Sequence, residues 1–124
     1  MFVGNAGVAY KYVYTYNLIW NDRGSGANSD VSIYRPSPPS GYYLLGDVAT
    51  SSYSTPTRSA VVVRDLTGDA LAKPTGFQEV WRDRGSGADR DVKIMRIVPP
   101  HGYVCLGDVA VNNYGATPDY NLYR

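Results

Sequence analysis

The sequence predicts an all-β protein made of two related units, and three observations support this fold class. The segment Trp20–Ala49 recurs 61 positions later as Trp81–Ala110, with most residues unchanged. The chain has 13 Gly and 8 Pro among 124 residues, which is typical of short strands joined by tight turns. β-Branched runs such as Val61–Val63 are typical of buried strands. Because the repeat covers most of the chain, it is expected to be the unit of folding.

Each unit is predicted to contribute four strands. In the second strand of the first unit, Val31 and Ile33 alternate with polar residues and should share one face. The place of the fourth strand, Ala60–Asp65, is taken in the second unit by Asn121–Arg124, and Met1–Val3 aligns with the same strand. The other predicted strands are Tyr14–Trp20, Asp30–Arg35 and Tyr42–Ala49 in the first unit, and Phe77–Trp81, Asp91–Ile97 and Tyr103–Val111 in the second.

Chain ends that share one structural element should lie close together. The two four-stranded units are therefore expected to close with pseudo-twofold symmetry into a single domain, residues 1–124, with internal repeats at about 14–66 and 77–124. A β-sandwich, a barrel and a β-prism-like assembly all satisfy this pattern. Proline and glycine exclude a helix at Pro38–Gly41 and Pro99–Gly102, and Asp69–Lys73 is the best candidate for a short helix.

Composition excludes several classes of function. With 12 Lys and Arg against 11 Asp and Glu, the net charge is +1, so no nucleic-acid partner is predicted. The single cysteine, Cys105, excludes an internal disulfide framework. The N-terminal sequence lacks the basic and apolar regions of a signal peptide, which predicts a cytoplasmic protein, with secretion by another route left open.

The repeated Gly-Ser-Gly-Ala loops are the best candidates for a ligand site. Their glycines allow tight turns with outward N–H groups, aspartates flank them, and a tryptophan precedes each loop, a combination that suits sugar hydroxyls. The alternative is structural, because such aspartates can also accept the N–H groups of their own loop. The candidate residues are Trp20, Asp22, Gly24, Ser25, Gly26 and Asp30 in the first unit, and Trp81, Asp83, Gly85, Ser86, Gly87 and Asp91 in the second.

No catalytic or metal-binding residues are predicted, and no cofactor is expected. His101 and Cys105 share strand parity, but four strand residues separate side chains by roughly 13 Å, which is too far for a nucleophile and its base. No EF-hand spacing is present for calcium. Asp47 and Asp108 are expected to form structural salt bridges with Arg35 and Arg96, respectively.

The repeated pattern is Trp-x-Asp-Arg-Gly-Ser-Gly-Ala-x-x-Asp-Val, followed by Pro-Pro-x-Gly-Tyr and Leu-Gly-Asp-Val-Ala. It resembles the modules of the vacuolar protein sorting-associated protein 62 family, in two tandem copies over about Tyr16–Asp65 and Phe77–Arg124. This resemblance implies an all-β module and little chemistry. Gly26–Asp30 and Gly87–Asp91 also resemble the Gly-x-x-x-Asp loop of jacalin-related lectins, which implies a β-prism and an Asp that accepts sugar hydroxyls.

The leading functional hypothesis is therefore a non-catalytic, lectin-like module that binds a glycan or glycoconjugate through its two repeated loops. The alternative is a protein- or membrane-interaction module related to pore-forming or lipid-transfer proteins, with membrane contact the less favoured form. Association with further copies of the chain is left open. The contact surface of the alternative would be a predicted strand face formed by Tyr10, Tyr12, Tyr14, Tyr16, Leu18 and Trp20.

Overall fold

Three antiparallel sheets of three strands each make up the protein in the computed structural model, which describes residues 7–124. No helix occurs within that range, and the sheets do not close into a barrel, so the predicted all-β class is confirmed. The strands are β1 Val8–Val13, β2 Tyr16–Asn21, β3 Ser32–Pro36, β4 Tyr43–Leu44, β5 Val48–Thr50, β6 Ala60–Asp65, β7 Gly76–Arg82, β8 Lys93–Val98 and β9 Asp108–Val111.

Two of the sheets, β2-β3-β5 and β7-β8-β9, are built alike, one in each repeat. Trp20 lies opposite Ile33 in the first sheet, and Trp81 lies opposite Ile94 in the second. Each sheet also has a β-bulge immediately before its tryptophan. Because a bulge shifts the alternation of faces, Leu18 is 52% exposed although Trp20, two residues later, is buried.

The predicted tyrosine face of one long strand is wrong. The segment forms two strands, β1 and β2, which belong to different sheets and are separated by Tyr14 and Thr15. Only Tyr10 and Tyr12 share the face of β1, where their rings meet edge to face with centroids 5.5 Å apart. The physical reason is that β1 pairs with β6, whereas β2 pairs with β3.

The third sheet, β1-β6-β4, lies within residues 8–65 and pairs with the second repeat at its edge strand β4. Its central strand β6 has the predicted bounds, and Leu44 in β4 also forms a parallel bridge with Tyr123 near the C-terminus. That bridge is all that the structure shows of the predicted strand Asn121–Arg124, and Met1–Val3 lies outside the described residues. The hydrophobic core draws on both repeats, in one cluster of Leu44, Val62, Ile97, Val109 and Tyr123 and another of Trp20, Ile33, Val92 and Ala110.

The third predicted strand of each unit is interrupted where the two repeats cross. In the first unit it divides into β4 and β5, which lie in different sheets. The backbones of Gly46 and Gly107 pass so close that a Cβ atom on Gly107 would lie 2.7 Å from the Leu45 carbonyl oxygen. Here glycine is needed for close approach of two chains.

The short helix predicted at Asp69–Lys73 is absent. The carboxylate of Asp65 accepts the backbone N–H groups of Thr67, Gly68 and Leu71, and Gly68 has a φ of 92°. These side-chain bonds hold the segment in an irregular turn, because they capture donors that a helix would use.

We expect Gly107→Ala to destabilise the fold by about 1–3 kcal/mol, because its Cβ would overlap backbone atoms that cannot move independently. Gly76→Ala is the matched control, since a Cβ there would have nothing within 4 Å. Urea unfolding of both variants measures the difference. Equal stability of the two variants would show that the crossing tolerates a side chain.

Candidate functional site

The first repeated loop is held together by the carboxylate of Asp22. This side chain is buried, and its Oδ1 accepts the Val31 N–H at 3.1 Å and the Tyr53 hydroxyl at 2.7 Å. The Ser25 hydroxyl accepts the N–H of Ala27 at 3.2 Å. The side chains of Asp22 and Ser25 therefore form hydrogen bonds within the protein.

The second loop repeats this arrangement. The buried carboxylate of Asp83 accepts the Val92 N–H at 3.0 Å, the Ser86 hydroxyl at 3.1 Å and the Tyr114 hydroxyl. The Ser86 hydroxyl accepts the N–H of Ala88. The structure thus engages two of the four predicted site aspartates, Asp22 and Asp83, in hydrogen bonds within the protein, as the structural alternative expects.

The aspartate–tyrosine bonds change the acidity of both partners. The Tyr53 hydroxyl lowers the pKa of Asp22 below its usual 3.8, and the same bond raises the pKa of Tyr53 to about 12. Burial raises the pKa of Asp83, but hydrogen bonds from Tyr114 and Val92 outweigh it, so the pKa of this carboxyl is lowered. A guanidinium lies over each phenol ring, with Arg23 4.1 Å from the Tyr53 centroid and Arg82 4.5 Å from that of Tyr114.

The two loops pack against each other and do not form independent sites. The Asp89 N–H donates to the Arg23 carbonyl oxygen at 2.8 Å, and Trp20 Nε1 donates to the Arg90 carbonyl oxygen at 2.7 Å. A Cβ on Gly24 would lie 2.2 Å from Asp89 Oδ1, so the second loop sits directly on the first. Trp20 is therefore a core residue and cannot stack on a sugar ring.

The remaining predicted site residues lie at the surface or in turns. Asp30 and Asp91 are exposed, Trp81 is 50% exposed, and a Cβ on Gly85 would meet nothing within 4 Å. Gly24, Gly26, Gly85 and Gly87 all have positive φ, as tight turns require. Ser25 and Ser86 are half-buried.

Both predicted salt bridges are confirmed, and they differ in environment. Arg35 forms two bonds with the buried carboxylate of Asp47, at 3.1 and 2.9 Å, whereas the bond between Arg96 and Asp108 is 3.3 Å long and exposed. Asp47 also accepts the Tyr123 hydroxyl at 2.7 Å. Burial, reinforced by the charge of Asp47, raises the pKa of Tyr123.

An apolar groove of about 620 Å³ is the feature that sequence reasoning missed. Its lining includes Val8 and Val63 from the third sheet, Leu71 from the irregular turn, and Val104 and Leu106 from the second repeat. The sequence did not indicate the groove, because Val104 and Leu106 align with Tyr43 and Leu45 and were expected to continue a strand. The residues come together only through tertiary packing.

Tyr53→Phe should weaken the fold most at neutral pH. A lowered carboxyl pKa contributes stability above the ordinary value of 3.8 and loses that contribution as the pH falls through the folded value. The difference in unfolding free energy between wild type and Tyr53→Phe should therefore be large at pH 7 and shrink below about pH 3.8. Urea unfolding across this range measures it, with the exposed Tyr14→Phe as a control whose effect should stay small at every pH.

The same difference should also shrink on the alkaline side. A tyrosine whose pKa is raised contributes stability below its ordinary value of 10 and loses it as the pH rises through about 12. A difference that does not depend on pH would show that the bond between Tyr53 and Asp22 has no role in stability.

Comparison with known proteins relates the chain to one family. Residues 3–123 match the model of the family described as vacuolar protein sorting-associated protein 62. The solved structure of GNIP1Aa from Chromobacterium piscinae has a TM-score of 0.79 and 31% sequence identity; the match covers 95% of this chain but 23% of that longer one. No curated protein matches the chain. Residues 7–124 contain no helix that is long and apolar enough to cross a membrane. The chain belongs to the vacuolar protein sorting-associated protein 62 family.

Proposed function

We propose that the chain is a non-catalytic binding module that holds an apolar segment of a partner protein in the groove. The observation that carries this proposal is the exposure of Val104 and Leu106, which are 79% and 69% accessible on the groove wall. Side chains of this type are usually covered when they cluster around a concavity, so their exposure marks a contact site.

The shape of the groove favours an inserted segment over a flat bilayer. Val8, Val63 and Leu45 line it together with Val104 and Leu106, which gives a concave apolar surface. A flat bilayer surface cannot fill a concavity, whereas a side chain of a partner protein can enter the groove and cover its exposed apolar wall. Arg124, with its guanidinium 3.8 Å from the centroid of the Tyr43 ring, provides a fixed cation and donor at the same site.

Selection from a displayed peptide library tests this function. The wild-type chain should enrich peptides with apolar anchors, and Leu106→Asp should abolish the enrichment because a carboxylate would be desolvated on the groove wall. Leu18→Asp is the matched control, since Leu18 is also exposed but lies in β2, outside the groove. The control should enrich the same peptides as wild type.

Liposome flotation separates the membrane alternative. If wild type floats with vesicles, Leu106→Asp does not, and no apolar peptide is enriched, then the groove face contacts lipid and the protein partner is excluded. If Leu18→Asp loses the peptides together with Leu106→Asp, the groove is not the binding surface.

Carbohydrate binding is the second candidate function. The observation that favours it is the exposure of Asp30 and Asp91, the two aspartates that the resemblance to the jacalin loop assigns to sugar hydroxyls. Because Asp22, Asp83 and Trp20 are engaged within the protein, Asp30 and Asp91 are the predicted site aspartates that stay exposed to a ligand.

A glycan array tests the second candidate directly. Asp30→Ala and Asp91→Ala should abolish glycan binding and leave the melting temperature nearly unchanged, because both side chains are exposed. Asp22→Ala is the contrasting variant and should lower the melting temperature, because it leaves the Val31 N–H without its acceptor. Glycan binding that survives both exposed substitutions would remove these loops as the sugar site.

A further inference from the structure

Apart from the crossing at Gly46 and Gly107, the contacts that bury Trp20 and Asp47 are made in one direction only. A twofold relation would make every contact twice, with the roles of the units exchanged. Instead, Trp20 of the first unit is 5% exposed beneath the second unit, whereas its counterpart Trp81 is 50% exposed. The predicted pseudo-twofold relation therefore does not hold for these contacts, and each unit keeps one half of the interface unused.

In the second unit, the surface equivalent to the one around Trp20 lies around Trp81, and no other unit covers it. In the filled contact, Trp20 Nε1 and the Arg23 carbonyl bond to the backbone of the second loop, and Gly24 leaves room for Asp89. The counterparts in the second unit are Trp81, Arg84 and Gly85, and all three are exposed. We call this the head surface: Trp81, Arg84, Gly85, Arg96 and Asp108.

In the first unit, the surface equivalent to the one that covers Trp20 lies around Val31, and it covers nothing. In the filled contact, Val92 and Ala110 of the second unit are buried against Trp20, with exposures of 0% and 1%. Their counterparts Val31 and Ala49 are exposed in the first unit. We call this the tail surface: Ala27, Asn28, Ser29, Val31 and Ala49.

The salt bridges follow the same division. Asp47 accepts the Ala110 N–H at 2.8 Å, and Arg35 donates to the Ala110 carbonyl oxygen at 2.6 Å, so this pair binds both backbone polar groups of one residue of the second repeat. The counterpart pair, Arg96 and Asp108, has exposed side chains. Its donors and acceptors are arranged for the backbone of a residue such as Ala49.

We propose that a second copy of this chain associates through these surfaces, so that the tail surface of one copy covers the head surface of the other. Each intermolecular contact would reproduce one already made within the chain, with Trp81 Nε1 donating to the Ser29 carbonyl and Asn28 N–H donating to the Arg84 carbonyl. Because both hydrogen bonds use backbone groups, Ser29 and Asn28 can form them as Arg90 and Asp89 do within the chain.

The position of the two surfaces indicates a dimer. Ala49 of the tail and Asp108 of the head border one cleft of about 320 Å³, which Ile33 and Ile94 also line. In the proposed dimer the partner copy sits at this cleft, with its tail on the head and its head on the tail, so that the contact is made twice. An interface used in this reciprocal way closes and does not extend into a filament.

Sedimentation velocity with the full chain tests the proposal. Wild type should pass from monomer to dimer as the concentration rises. Trp81→Ser removes the head and Ala49→Arg blocks the tail, and each should weaken dimerisation by roughly 30-fold or more, as expected for the centre of an interface. Both positions are exposed in the single chain, so the variants should keep the wild-type circular dichroism spectrum and melting temperature.

A mixture of the two variants provides the decisive measurement. Trp81→Ser retains an intact tail and Ala49→Arg retains an intact head, so together they should form a one-to-one complex that neither forms alone. Val104→Ser, in the groove, should dimerise like wild type. The proposal is overturned if wild type stays monomeric throughout, if the mixture forms no complex, or if Val104→Ser abolishes the dimer.

Discussion

The buried carboxylate of Asp47 is the interaction on which the arrangement of the two repeats depends. It is bound by Arg35 of its own sheet, by the Ala110 N–H of the other repeat and by the Tyr123 hydroxyl near the C-terminus. A buried charge is tolerated only when it is fully paired, and removal of a partner typically costs about 3–5 kcal/mol. Asp47 therefore connects three distant parts of the chain through one set of bonds.

The Gly46–Gly107 crossing makes this connection possible. Without side chains at the crossing, the two Leu-Gly-Asp segments approach closely enough for the Asp47 N–H to donate to the Asp108 carbonyl at 2.8 Å. The two copies of the motif then differ in burial, because the Asp47 side chain is enclosed while the Asp108 side chain stays at the surface. Nearly identical segments are buried unequally because the second unit covers this surface of the first unit, while the equivalent surface of the second unit is uncovered.

The loops illustrate how a repeated motif can be structural at its centre and free at its edge. The carboxylates of Asp22 and Asp83 accept hydrogen bonds from the backbone of their own loops, whereas Asp30 and Asp91 remain exposed. Partner binding through the groove would use the side of the molecule where the third sheet meets the second repeat, so it does not compete with the loops or with association of copies. The groove is thus separate from the loops, whereas Ala27–Ser29 and Arg84–Gly85 belong both to the repeated loops and to the surfaces proposed for association of copies.

The sequence by itself determined the β class, the repeat, strand β6 and both salt bridges, because these follow from local periodicity and from residue spacing. The family followed from the resemblance of the repeated motif to known modules. It did not determine which Trp is buried, where the long strands break, or the apolar groove around Val104. Those features depend on which unit covers the other and on the close crossing at Gly46, which are contacts between residues far apart in the chain. Two nearly identical segments have the same local conformational preferences, so only their tertiary neighbours could bury one in the core and leave the other at the surface.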